Sequence, residues 1–199
     1  MSKNIFTSFK PNMENISFTS NIKLVSCSDF HKITSGFGKK NFVDYPWMIK
    51  DSVVGENVYT TRICDCTSCL ITDGQKAILM HLNPAKKSNH IFSDVIRFLR
   101  DNIDLKQKDL QAVLLGSRDT KPSQDIWNKF CELLKKFDIP VSKLKNGKWG
   151  TNLAYNKSKD EVLISSYPLD KGINKGLSKT DLLKSHFKEV SISECDELI

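Results

Sequence analysis

A chain of 199 residues with 39% hydrophobic content is long enough to bury one substantial core, so we expect a single domain with tails. No apolar run approaches a membrane span, and the N-terminal stretch MSKNIFTSFKPNMENISFTSN lacks the apolar region and small-residue cleavage site of a signal peptide. The net charge of +7 comes from lysines scattered over loops and helix faces, with no basic stripe of interleaved aromatics, which argues against nucleic-acid binding.

Residues 1–41 read as an N-terminal extension, polar and partly disordered at its start, with a short strand at Ile22–Cys27 and a loop, GFGKK, at 36–40. The G-x-G of that loop lacks the rest of a phosphate-binding pattern. Phe42, Tyr45, Trp47 and Met48 form an apolar patch that opens the folded core, and Val53 to Cys64 is rich in β-branched residues and leads as strand or loop into a cysteine-bearing hairpin.

Between Thr60 and Pro84 two apolar runs flank Asp73-Gly74, a dipeptide suited to a two-residue type I′ hairpin turn. Counting outward from that turn sets Cys66 directly opposite His81. Opposed residues of an antiparallel pair share a face, with Cβ atoms roughly 5 Å apart. A thiol with a pKa of about 8.5 is only slightly ionised at neutral pH, and an imidazole beside it activates it by taking the proton. Asp65 disfavours a second negative charge next to it, and Arg62 is available to offset that. For catalysis both side chains must share a face and be reachable from solvent. Otherwise a cysteine on an apolar strand is a small core residue, and a lone histidine a hydrogen-bonded structural group.

Zinc is the other chemistry this cluster could carry. Cys64, Cys66, Cys69 and His81 are four possible ligands, and Cys66-x-x-Cys69 has the spacing of a half-site. Strand alternation, however, points Cys69 away from Cys64 and Cys66, and no second C-x-x-C exists, so no metal is expected. Cys69 is the alternative nucleophile; its face carries Ile71, Ile78 and Met80, and it would need a bulge to reach His81. The remaining cysteines, at 27, 131 and 195, show no regular spacing, which fits reduced thiols better than a disulfide scaffold.

After a polar loop, Ser88 caps a helix to about Ile103, and the apolar run Leu110–Leu115 reads as a buried strand ended by Gly116-Ser117. Pro122 starts a helix whose Ile126, Phe130, Leu133, Leu134 and Phe137 follow a 3.6-residue period. Ile139–Leu144 returns as a strand, Asn146-Gly147 is a turn, and Asn152–Asn156 and Glu161–Ser165 are two further strands joined by Lys157–Asp160. Beyond Tyr167-Pro168 we expect a Gly/Lys/Asn linker, a last helix capped by Ser178 and Asp181, and an acidic tail, SECDELI. Helices interleaved with mixed strands make an α/β or α+β domain.

The order of elements and three sets of residues resemble the CheD chemoreceptor glutamine deamidases and the related cytotoxic necrotizing factor and lethal-factor toxins. The residues are Thr60, Ile63, Cys66 and His81; the run LLGS ending at Ser117; and KKFDIPVSKLKNGKWGTNLAYNKSKDEVLI from Lys135 to Ile164. The resemblance implies an α+β fold of layered mixed sheets, a β-sandwich-like core flanked by helices in α/β/β/α order. It places a cysteine hydrolase domain at residues 42–167, with residues 168–199 as a C-terminal extension carrying a short helix. It further implies a bacterial enzyme that hydrolyses a glutamine side-chain amide of a partner protein, with Cys66 as nucleophile, His81 as base and Thr60 orienting the imidazole. An amine in place of water would give transglutaminase side activity. Expected with this are no cofactor and no metal, a protein substrate carrying a reactive glutamine, a monomer, and a cytoplasmic location or secretion into a host cytosol as an effector or toxin. The alternative is a non-catalytic binding module of the same fold, with the cysteine cluster packed or holding zinc.

Overall fold

The computed structural model describes residues 21–43, 52–84, 88–146 and 149–191. Two mixed sheets face each other. One takes its strands in the order β1 (Asn21–Leu24), β10 (Glu161–Ser165), β9 (Thr151–Asn156), β4 (Asn57–Ile63) and β2 (Phe42–Val43). The other runs β11 (Phe187–Ser191), β8 (Val141–Asn146), β7 (Gln111–Gly116), β5 (Thr67–Thr72), β6 (Ala77–Leu82) and β3 (Ser52–Gly55).

Alternation along the strands divides the core into layers. Val58, Leu153, Tyr155, Val162 and Ile164 of the first sheet meet Leu70, Leu79, Val113, Leu115 and Leu144 of the second. On the second sheet's other face, Ile71, Ile78, Met80 and Leu114 pack under α2 (Ser88–Asn102), through Val95 and Leu99, and α3 (Lys121–Lys136), through Ile126, Phe130 and Leu134. Covered on both sides, β5, β6 and β7 are buried at every position, which is why they read as continuous apolar runs. The first sheet's outer face is closed by Phe30 of α1 (Cys27–Thr34), against Ala154 and Leu163. The result is the expected α+β architecture, helices on both sides of two layered mixed sheets.

Three elements differ from the sequence expectation. Helix α1 has no counterpart in it, although Ser26 and Asp29 carry a helix-start signature: the Ser26 hydroxyl accepts from the Asp29 N–H at 3.0 Å. The expected linker beyond Tyr167-Pro168 is instead helix α4 (Tyr167–Asn174), started by the Ser166 hydroxyl accepting from Leu169 N–H, with the proline in the first turn where its missing N–H costs nothing. Helix α5 (Lys179–His186) is capped by Ser178 as expected, and strand β11 after it adds to β8. Segments placed outside residues 42–167 by sequence thus supply edge strands to both sheets, β1 beside β10 and β11 beside β8. Tyr45, Trp47, Met48, the Gly147 turn position and the SECDELI tail lie outside the described residues. No helix among the described residues is long and apolar enough to cross a membrane.

Candidate active site

The β5–β6 hairpin corrects the expected register. Thr72 pairs with Ala77, and Ser68, not Cys66, stands opposite His81. The cause is Asp73, whose carboxylate accepts from the N–H groups of Gln75 at 2.9 Å and Lys76 at 2.8 Å while Gly74 adopts a φ of 76°. An Asx-type turn of this kind takes in Gln75 and Lys76 as well, so the hairpin slips by two residues. A slip by an even number leaves every side chain on its original face. Cys66 therefore still belongs to the layer between the sheets, where it packs with Ile63, Leu70 and Leu115.

His81 points into the same layer and is held from the opposite sheet. Thr60 Oγ1 of β4 lies 2.6 Å from His81 Nδ1 and 2.8 Å from the Val43 carbonyl oxygen of β2. A threonine hydroxyl has one proton, and a carbonyl can only accept, so Thr60 donates to Val43 and must accept from the imidazole. His81 consequently carries its proton on Nδ1 and keeps the Nε2 lone pair. Burial pushes its pKa down to about 4, so the ring is neutral at pH 7, and the same burial makes it a weaker base than a solvated imidazole. Thr60→Val keeps the shape but strands a buried Nδ1–H. We expect it to cost about 1–3 kcal/mol in urea unfolding, and Thr60→Ser, which keeps the hydroxyl, to cost less.

The loop 64–66 crosses from β4 in one sheet to β5 in the other, and its carbonyls are all anchored. Asn146 Nδ2 donates to Ile63 O at 2.7 Å and to Cys64 O at 3.4 Å, Ser123 Oγ donates to Asp65 O at 2.5 Å, and Ser117 N–H donates to Cys66 O at 3.0 Å. Because the trans peptide is planar, anchoring Asp65 O toward Ser123 turns the Cys66 N–H the opposite way. Arg62 and Ser117, on either side of this loop, both have left-handed backbones, with φ of 60° and 61°. The Asp65 charge is met by Arg118 at 3.0 Å and not by Arg62, whose backbone N–H goes to Asn152.

Cys69 lies on the opposite face of β5, fully buried under the helices with its thiol pKa pushed up by that burial, so His81 and Cys69 are separated by the sheet. The Cys64 sulfur lies beside Gly150. Among the described residues no group of three or more His, Cys, Asp or Glu side chains is placed to hold a metal. Both principal side chains are covered, Cys66 at 2% exposure and His81 at 1%, so they meet the first condition for catalysis, a shared face, but not the second, access from solvent. Sequence reasoning gave no site role to Val43, Ser117, Ser123 or Asn146; it marked Gly116-Ser117 as a strand end and Asn146 as a turn residue, whereas Asn146 is the last residue of β8.

A second buried imidazole, His186 at the end of α5, also has its pKa lowered to about 4 by burial. In both histidines the native pKa lies below the unfolded value of about 6.5, so the unfolded chain takes up protons that the native state refuses. Stability is therefore expected to fall as pH drops from 6.5 toward 4, by roughly 3 kcal/mol per histidine. Urea midpoints measured across that range check it; a His186→Phe variant should show about half the dependence.

No protein-family model matches the chain, and neither does any curated protein.

Proposed function

We propose that the chain is a cysteine hydrolase acting on the side-chain amide of a protein glutamine. The observation that carries this is the hydrogen bond from His81 Nδ1 to Thr60, whose own proton is committed to Val43. It leaves a neutral imidazole with its lone pair on Nε2 in the layer that also holds Cys66. The Cys66 sulfur attacks the carboxamide carbon as the thiol proton passes to His81 Nε2. The Cys66 N–H is the candidate donor to the oxyanion, held in orientation by the anchored Asp65 carbonyl. The imidazolium then protonates the amide nitrogen, ammonia leaves, and a thioester remains. Water attacks the thioester with His81 again as base, giving glutamate and restoring the thiol; an amine would give a transglutaminase product. The resemblance to the CheD and toxin deamidases supports the same roles for Thr60, Cys66 and His81, and favours a bacterial effector that meets its substrate in a cytosol.

A second reading, a binding module with a packed thiol, is favoured by one observation: Cys66 and His81 are almost entirely covered. Incubation of protein extracts with the wild-type chain, followed by mass spectrometry, separates the two. Hydrolysis predicts glutamines gaining about 1 Da, the amide-to-acid change, in the wild-type sample and not with Cys66→Ala. A binding module predicts identical spectra.

A further inference from the structure

The loop bearing Cys66 is connected by hydrogen bonds to a histidine far from it in sequence. Asn146 Nδ2, which holds the carbonyls of Ile63 and Cys64, belongs to a side chain whose Oδ1 accepts from Thr151 Oγ1 at 2.9 Å. Thr151 Oγ1 lies 2.9 Å from His186 Nε2, and His186 Nδ1 lies 3.4 Å from Ser166 Oγ. The single threonine proton goes to the amide oxygen, so Thr151 must accept from His186 Nε2–H, which leaves Nδ1 to accept from Ser166. Every proton in the chain is thereby assigned, running from Ser166 to His186, Thr151, Asn146 and the two carbonyls. Asn146, Thr151, Ser166 and His186 are all buried, where a broken link strands polar groups without solvent to replace it.

We propose that His186, through Thr151 and Asn146, is a positioning residue that fixes the Ile63–Cys66 loop, making the segment from α4 to β11 part of the candidate catalytic unit. As a contribution to catalysis this rests on the cysteine hydrolase reading; as a clamp on the loop it does not. His186 touches neither Cys66 nor any substrate atom in this role. It acts only by fixing the amide orientation of Asn146, whose oxygen must face Thr151 for its nitrogen to face the loop.

The test compares amide hydrogen exchange and iodoacetamide alkylation of Cys66 in the wild-type chain and in His186→Phe, His186→Gln and Thr151→Val. Glutamine can place a donor where His186 Nε2–H lies, whereas phenylalanine fills the space without one. His186→Phe and Thr151→Val are expected to speed exchange within residues 63–66 on the order of tenfold, with β5 and β7 unchanged, and His186→Gln to restore most of the protection. Alkylation of Cys66 is expected to change in the same two variants and to recover with glutamine. Unchanged exchange at 63–66 in Thr151→Val, the most conservative of the three, overturns the proposal even if His186→Phe fails to fold. Exchange that rises uniformly over the whole chain overturns it too, since that is global loosening. A loop that loosens selectively around a wild-type Cys66 that never reacts supports the clamp and defeats the hydrolase reading instead.

Discussion

Gly116→Ala is expected to lower the unfolding free energy by about 3 kcal/mol or more. Gly116 has a φ of 124°, a backbone conformation closed to L side chains, and a methyl group there would overlap the Cys66 carbonyl oxygen. It would also press on Ile63 Cγ2 at 3.0 Å and Thr67 Cα at 3.1 Å. None of these neighbours can give easily. Cys66 O is held by Ser117 N–H, Ile63 is in the core between the sheets, and Thr67 is paired on both sides, with Leu82 and with Gly116 itself. Any relief must move the peptide that carries Cys66, so reactivity should fall along with stability. Gly36→Ala is the control, since its Cβ would meet nothing within 4 Å and its φ is not positive. Urea titration of the two variants against wild type measures the difference; equal midpoints would show that the strand end does not press on the loop.

Cys66→Ala is expected to abolish ammonia release. Removing the nucleophile of a cooperating set can cost as much as removing the whole set, on the order of 10⁶-fold in kcat, because the remaining groups have nothing to activate. The same change removes one sulfur from a packed position and leaves the loop's backbone anchors in place, so the fold is expected to survive within about 1–2 kcal/mol. That separation of effects distinguishes a nucleophile from a core thiol. Residual ammonia release at the wild-type rate would transfer the chemistry elsewhere or remove it.

That Cys66 and His81 share a face could be read from the sequence because it depends on strand parity, whereas Thr60, on the opposite sheet, entered only through the family resemblance. Parity tolerates the slip that the Asp73 carboxylate introduces, since the shift is even. The turn type itself was not legible: Asp-Gly serves a two-residue turn or an Asx-closed one, and only the competition between ladder and side-chain bonds decides. The anchors of the loop were beyond reach for another reason. Ser123 and Asn146 are a helix serine and a strand asparagine, ordinary in their local context, and they become partners of Asp65, Ile63 and Cys64 only when α3 and β8 are brought to the loop by the fold. The helical apolar period of α3 and the continuous run of β7 were visible because burial on one or two faces leaves a pattern along the chain. Helix α4 was hidden by its Gly, Lys and Asn content, although Ser166 and Pro168 mark its start.

Competitive alkylation at pH 7, read cysteine by cysteine, probes the proposed nucleophile most directly. Cys69 is an internal reference, fully buried on the far face of the same strand, and Cys27 and Cys131 have thiols that burial makes harder to ionise. With His81 Nε2 serving as base, Cys66 should react with iodoacetamide ahead of all three despite its 2% exposure, and His81→Phe should erase that lead. A Cys66 that reacts no faster than Cys69 would contradict the proposed chemistry and leave the chain a layered scaffold with a packed thiol.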